Sequence, residues 1–141
     1  MRAFLLPLLA VFLAVPCAAR AQSATGRAPL ELAGTWRGTS RCTAAGRPAC
    51  HDEVVVYHVR QAGTPARAAP ERLEWVMNKV VGGKEEAMGV LLCDAAPGGG
   101  VVCPMREWRW TFRMQGASVQ GTLTSPTGVV WRNILVRRMG G

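Results

Sequence analysis

The sequence predicts an all-β fold, a small antiparallel β-barrel of about eight strands, with a two-sheet β-sandwich as the alternative. Three observations lead there. From Leu32 onward, short β-prone runs alternate with Gly and Pro punctuation. The clearest run, Trp108-Arg109-Trp110-Thr111-Phe112-Arg113-Met114, has period two. Trp108, Trp110, Phe112 and Met114 share one face, and Arg109, Thr111 and Arg113 share the other. Finally, no helical pattern longer than two turns follows the amino-terminal apolar run. Strands of this kind must bury a face, and a closed barrel or a sandwich is the economical way to do so.

The runs fall near 33–41, 52–61, 72–81, 86–93, 101–105, 107–115, 117–124 and 129–138. Gly82-Gly83 marks a tight turn between Val81 and Lys84. Ser125-Pro126-Thr127-Gly128 marks the last hairpin turn. The stretch Ala62 to Pro70, with Gly63, Pro65 and Pro70, reads as a longer loop. There are no internal repeats, and the length fits one domain.

Residues 1–21 read as a cleaved secretory leader. Arg2 supplies a positive start, Ala3 to Val15 is apolar, and Ala19-Arg20-Ala21 places small residues at the cleavage positions. The apolar run falls short of the roughly twenty residues that span a bilayer, so no stable membrane insertion is expected after cleavage. Residues 22–31 then form a flexible lead-in, and 32–139 form the barrel domain. The expected location is periplasmic or secreted.

The cysteines agree with export. Cys17 leaves with the leader, and Cys42, Cys50, Cys93 and Cys103 remain as an even set. Each sequence-adjacent pair brackets a turn-rich loop, which predicts Cys42–Cys50 and Cys93–Cys103. A zinc site would need closer C-x2-4-C pairs. No cofactor is expected.

Without the leader's Arg2 and Arg20, fifteen basic residues face nine acidic ones, a net charge of +6. The arginines are spread along the chain rather than clustered. A solvated basic surface, and no nucleic-acid partner, is the reading.

Cys50-His51-Asp52-Glu53 with Tyr57-His58 is the densest polar cluster. On a strand, His51 and His58 point to opposite faces, and Asp52 lies on the order of 20 Å from His58. Only His51 and Glu53 are close enough to cooperate, at roughly 7 Å. They read as rim residues of a strand entrance. Both faces of Val54 to Val59 are apolar, which predicts a strand covered on both sides. Of the five tryptophans, Trp75 and Trp110 are assigned to a cavity wall, with Tyr57, Glu53 and His51 as further ligand-binding candidates. Glu85-Glu86 reads as a solvated turn. Nucleophile elbows and phosphate loops are absent, and Gly98-Gly99-Gly100 lacks the helix and Lys of a phosphate cradle.

Ala33-Gly34-Thr35-Trp36 resembles the G-x-W signature of the calycin superfamily of lipocalins, fatty-acid-binding proteins and avidins. The resemblance implies that Trp36, beside Gly34, plugs one barrel end while an arginine of the last strand packs across it. Arg137 is assigned that role, with Arg138 as the alternative. Three longer stretches, Gly34 to Ser40, Cys50 to His58 and Lys84 to Gly89, are similar to a group of uncharacterised exported bacterial proteins. That likeness brings no activity with it. The function expected is a non-enzymatic binding module for a small apolar or amphipathic ligand. The alternative is an envelope protein-interaction or inhibitor domain with a filled barrel, acting through Gln22 to Leu30 and Ala62 to Pro70.

Overall fold

A computed structural model describes residues 30–44, 46–63 and 72–140. The leader, residues 22–29 and residues 64–71 of the long loop lie outside the described residues. Eight strands follow one another: β1 (Gly34–Cys42), β2 (Glu53–Gln61), β3 (Leu73–Val81), β4 (Lys84–Ala95), β5 (Val101–Met105), β6 (Trp108–Gln115), β7 (Ser118–Thr124) and β8 (Val130–Arg138). Each pairs antiparallel with its sequence neighbours, and β1 pairs with β8 to close the barrel. The barrel, rather than the sandwich, is the fold.

The period-two pattern explains the core. Val55, Tyr57 and Val59 of β2, Leu73, Trp75 and Met77 of β3, and Trp110 and Phe112 of β6 are all buried inside. Trp75 stacks on Phe112 at 4.0 Å between ring centroids, and Tyr57 meets Phe112 edge-on at 5.9 Å. This aromatic group fills the middle of the barrel.

Two features depart from the sequence reading. Leu30 and Glu31, the end of the expected flexible lead-in, belong with Leu32 to a 3-10 turn, and Leu32 is buried. The covered-strand expectation for β2 holds at Val56, which is buried, and fails at Val54, which is 42% exposed.

Two irregularities shape the wall. Met88 is an extra residue in β4, because Met77 pairs with Gly89 while Asn78 pairs with Ala87. Trp131 is likewise extra in β8, between the partners of Leu123 and Thr124. The β4–β5 ladder is the shortest in the barrel, with only Asp94↔Val102 and Ala95↔Val101 paired. The Cys93–Cys103 disulfide follows immediately, and then Pro104, which has no N–H for a ladder. Beyond that point β4 and β5 are not joined. Cys42–Cys50 closes the β1–β2 connection. Both disulfides therefore have the pairing that the spacing predicts.

Candidate functional site

One barrel end is closed. Trp36 is fully buried and its indole Nε1 donates to the Leu32 carbonyl at 2.8 Å. The guanidinium of Arg138 lies over the Trp36 ring at 4.3 Å and donates to the carbonyls of Ala33 and Glu31. Gly34 has φ +136°, and a Cβ there would meet Arg138 Nη1 at 2.2 Å. The glycine is thus required both by its backbone and by the arginine passing over it.

The assignment of Arg137 to this plug is corrected. Arg137 pairs with Arg37 and is exposed on the outer wall. Arg137 shares its face of β8 with Asn133 and Leu135, and that face is the outer one. Ile134 and Val136 are buried, whereas Leu135 is 45% exposed. The inner set of β8 is therefore Arg132, Ile134, Val136 and Arg138.

The other half of the barrel holds a cavity of about 290 Å³, lined by Tyr57, Met77, Leu91, Met105 and Trp110 among others. One corner is polar. Arg132 Nη1 lies 3.2 Å from Glu53 Oε2 and donates to Ser40 Oγ at 3.1 Å. Among the buried donors without a hydrogen-bond partner, two belong to residues of this lining: the Tyr57 hydroxyl and the Trp110 indole N–H. Burial pushes the Tyr57 phenol well above its ordinary value, with Arg132 opposing and Glu53 adding to the rise. The phenol is therefore a neutral O–H donor at any physiological pH. The lining crosses the β4–β5 seam, where Met88, Val90 and Met105 are exposed. The cavity therefore borders the part of the wall where β4 and β5 are not paired.

The predicted residues separate accordingly. Trp110, Tyr57 and Glu53 stand on the cavity wall. Trp75 lies in the aromatic core, where its own N–H is unpartnered, and is not part of the lining. His51 is exposed and also outside the lining, so it does not work with Glu53, whose partner is Arg132. Asp52 Oδ1 accepts from the Cys42 amide at 2.9 Å, a structural tie across the β1–β2 connection.

Arg132 is the cavity residue that sequence reasoning missed. The alternation of Ile134 and Val136 was the signal that could have found it. A second missed group lies on the outer wall. Glu85 is exposed, as a residue beside a solvated turn should be, yet it is engaged: its Oε2 accepts from Asn78 Nδ2 at 2.7 Å and pairs with His58 Nε2 at 2.8 Å. The other nitrogen of His58, Nδ1, lies 3.2 Å from Thr35 Oγ1. The His58 hydrogen bond, then that of Asn78, holds the Glu85 carboxyl below its ordinary value. These residues meet because β1, β2, β3 and β4 are neighbours. No cluster of three or more His, Cys, Asp or Glu side chains with metal-binding geometry occurs among the described residues. Compared with protein-family models, curated proteins and solved structures, the chain has no match in any of the three.

Proposed function

We propose that this protein is an exported, non-enzymatic binding module of the calycin kind, which takes a small amphipathic ligand into the open half of its barrel. The observation that carries the reading is the cavity with two buried, unpartnered donors. A buried N–H or O–H left unsatisfied costs about 1–3 kcal/mol, and a ligand oxygen met by a small turn of the Tyr57 or Trp110 side chain would remove that cost. The apolar part of the ligand lies against Met77, Leu91 and Met105, and the Glu53–Arg132 corner orients its polar end. At about 290 Å³ the cavity sits at the small end of ligand sites, roughly 300–1,000 Å³. A short-chain or single-ring compound fits better than a long lipid.

Export is supported by the leader-like start and the two disulfides. The calycin reading is supported by Trp36, Gly34 and Arg138 together at the closed end.

Native mass spectrometry of protein recovered from the compartment that makes it should show a retained small molecule. Tryptophan emission, reporting Trp110, should shift when that compound is returned to stripped protein. Protein that is always ligand-free, with emission flat across a panel of fatty acids, aromatic acids and short isoprenoids, would sink the proposal. One observation favours the interaction-domain reading instead: Met88, Val90, Leu92 and Met105 form exposed apolar surface beside the seam. Capture of a protein partner that Val90→Lys abolishes, with no small ligand found, would support it.

A further inference from the structure

The outer wall of β6, β7, β8 and β1 carries a second feature, unrelated to the interior. Its exposed arginines are Arg37, Arg41, Arg109, Arg113 and Arg137, and no acidic residue shares the face. Acids lie at its margins: Glu85 acts on the Arg37 edge, Glu107 sits in the turn before β6, and Asp94, two strands from Thr111, is paired with Arg72. Among the described residues, none of the five arginines has a carboxylate within ion-pairing distance.

This face is hollowed. A groove of about 700 Å³ runs across the four strands, bordered by Arg41, Arg113, Thr122, Gln120, Asn133 and Leu135. Its floor is pressed onto the core at Gly121, where a Cβ would lie 2.5 Å from the Phe112 ring. Any side chain at that position would push the floor outward, so glycine keeps the hollow deep.

We propose that this groove binds an acidic polysaccharide, a sugar chain bearing carboxylate, phosphate or sulfate groups at intervals. Arg41 on β1 and Arg113 on β6 are three strand spacings apart, roughly 15 Å. Neutral Asn133, Gln120, Thr122 and Thr111 fill the space between them. Arginine forks match carboxylate, phosphate and sulfate oxygens, and the amides and hydroxyls between match sugar hydroxyls. Thr111 and Thr122 already share one hydrogen bond at 2.8 Å and keep further acceptor capacity. Charge at the two ends, with neutral polar groups between, fits a chain charged intermittently better than a nucleic acid charged at every unit. The groove also offers no exposed ring for bases to stack on, since its one aromatic, Phe112, is buried against Trp75. A flat anionic bilayer does not fit a concave surface.

The test uses the disulfide-bonded chain with alginate oligosaccharides, and neutral dextran as control. In amide NMR, alginate should shift Arg41, Thr111, Arg113, Gln120, Thr122 and Asn133, and dextran should not. Affinity by calorimetry should fall about tenfold, the equivalent of about 1.4 kcal/mol, in the Arg41→Ser/Arg113→Ser variant. It should stay within about twofold in Arg60→Ser/Lys84→Ser, which removes the same charge from the opposite wall. Equal losses in both variants, no shifts in the groove, or tighter binding of oligothymidylate or of phosphatidylglycerol vesicles than of alginate would each overturn the assignment. Circular dichroism of both variants separates a binding loss from misfolding.

Discussion

The two ends of this barrel are built from the same kinds of residue and satisfied to different degrees. At the closed end the Trp36 indole bonds to Leu32, Arg138 bonds to two carbonyls and covers the ring, and Gly34 leaves room for it. At the open end the Trp110 indole and the Tyr57 hydroxyl are equally hidden from water and bond to nothing in the chain. Natural interiors seldom leave such groups unpaired. The contrast is that the chain alone satisfies the polar groups of the closed end, whereas two donors at the other end are left without a partner, a role that the proposed function gives to a ligand oxygen.

Truncating the two tryptophans breaks the comparison most strongly. Trp36→Ala should cost about 3–5 kcal/mol of unfolding free energy in chemical denaturation. Trp110→Ala should cost distinctly less, because a cavity already adjoins that ring. Equal losses would mean that the open end packs as ordinary core.

Removing Cys93 and Cys103 together as serines should cost about 2–3 kcal/mol. It should also speed amide exchange at Asp94 and Val102, the short ladder beside the seam. The matching change at Cys42 and Cys50 should leave exchange at the seam as it was.

At the closed end, Arg138→Ala should lose about 1–2 kcal/mol through lost stacking and lost carbonyl contacts. Its neighbour Arg137→Ala should stay within about 0.5 kcal/mol, as an exposed surface change does. Tyr57→Phe is the counterpart at the open end. It deletes a donor that has no partner in the chain, so stability should hold or rise slightly, while affinity for a ligand of the proposed kind should fall. A clear loss of stability would show that the hydroxyl is satisfied within the protein.

The smallest effect belongs to Glu85 on the outer wall. Its carboxyl is held low in the folded state, so the associated stabilisation is present above the ordinary carboxylate range and fades as pH falls through the lowered value. An NMR titration should place Glu85 below 4.5, and His58→Ala should move it back toward that value.

Much of this fold was legible from the chain, because period two in a run such as Trp108 to Met114 has a single reading. The disulfides followed from loops short enough to bring each pair together without the rest of the fold. Glycine-rich turns bounded most strands within two residues. The site was less legible, for definite reasons. An extra residue at Trp131 made the outward residues of β8 look like its inner row, which hid Arg132 and moved the plug arginine by one position. The His58–Glu85 pair joins side chains of β2 and β4 across the intervening β3, and no spacing along one strand announces such a meeting. The cavity itself depends on how far the Trp75–Phe112 stack reaches up the barrel. That is a matter of volume, and the hydrophobic pattern alone does not encode it.

The strand order has a consequence for how the chain reaches this shape. Seven of the eight strand pairings join segments next to each other in sequence, so each can form as a local hairpin. The eighth, β1 with β8, must bring together residues as far apart as Ala33 and Arg138, 105 positions along the chain. Local pairings form early because little chain is closed off, whereas this last one has the largest sequence separation and closes the sheet that the others have built. The disulfides shorten that span only by their own small loops, of sequence separation 8 and 10. Docking the Arg138 guanidinium onto Trp36 is therefore a contact of the final step, the one that turns a ribbon of hairpins into a barrel with an inside.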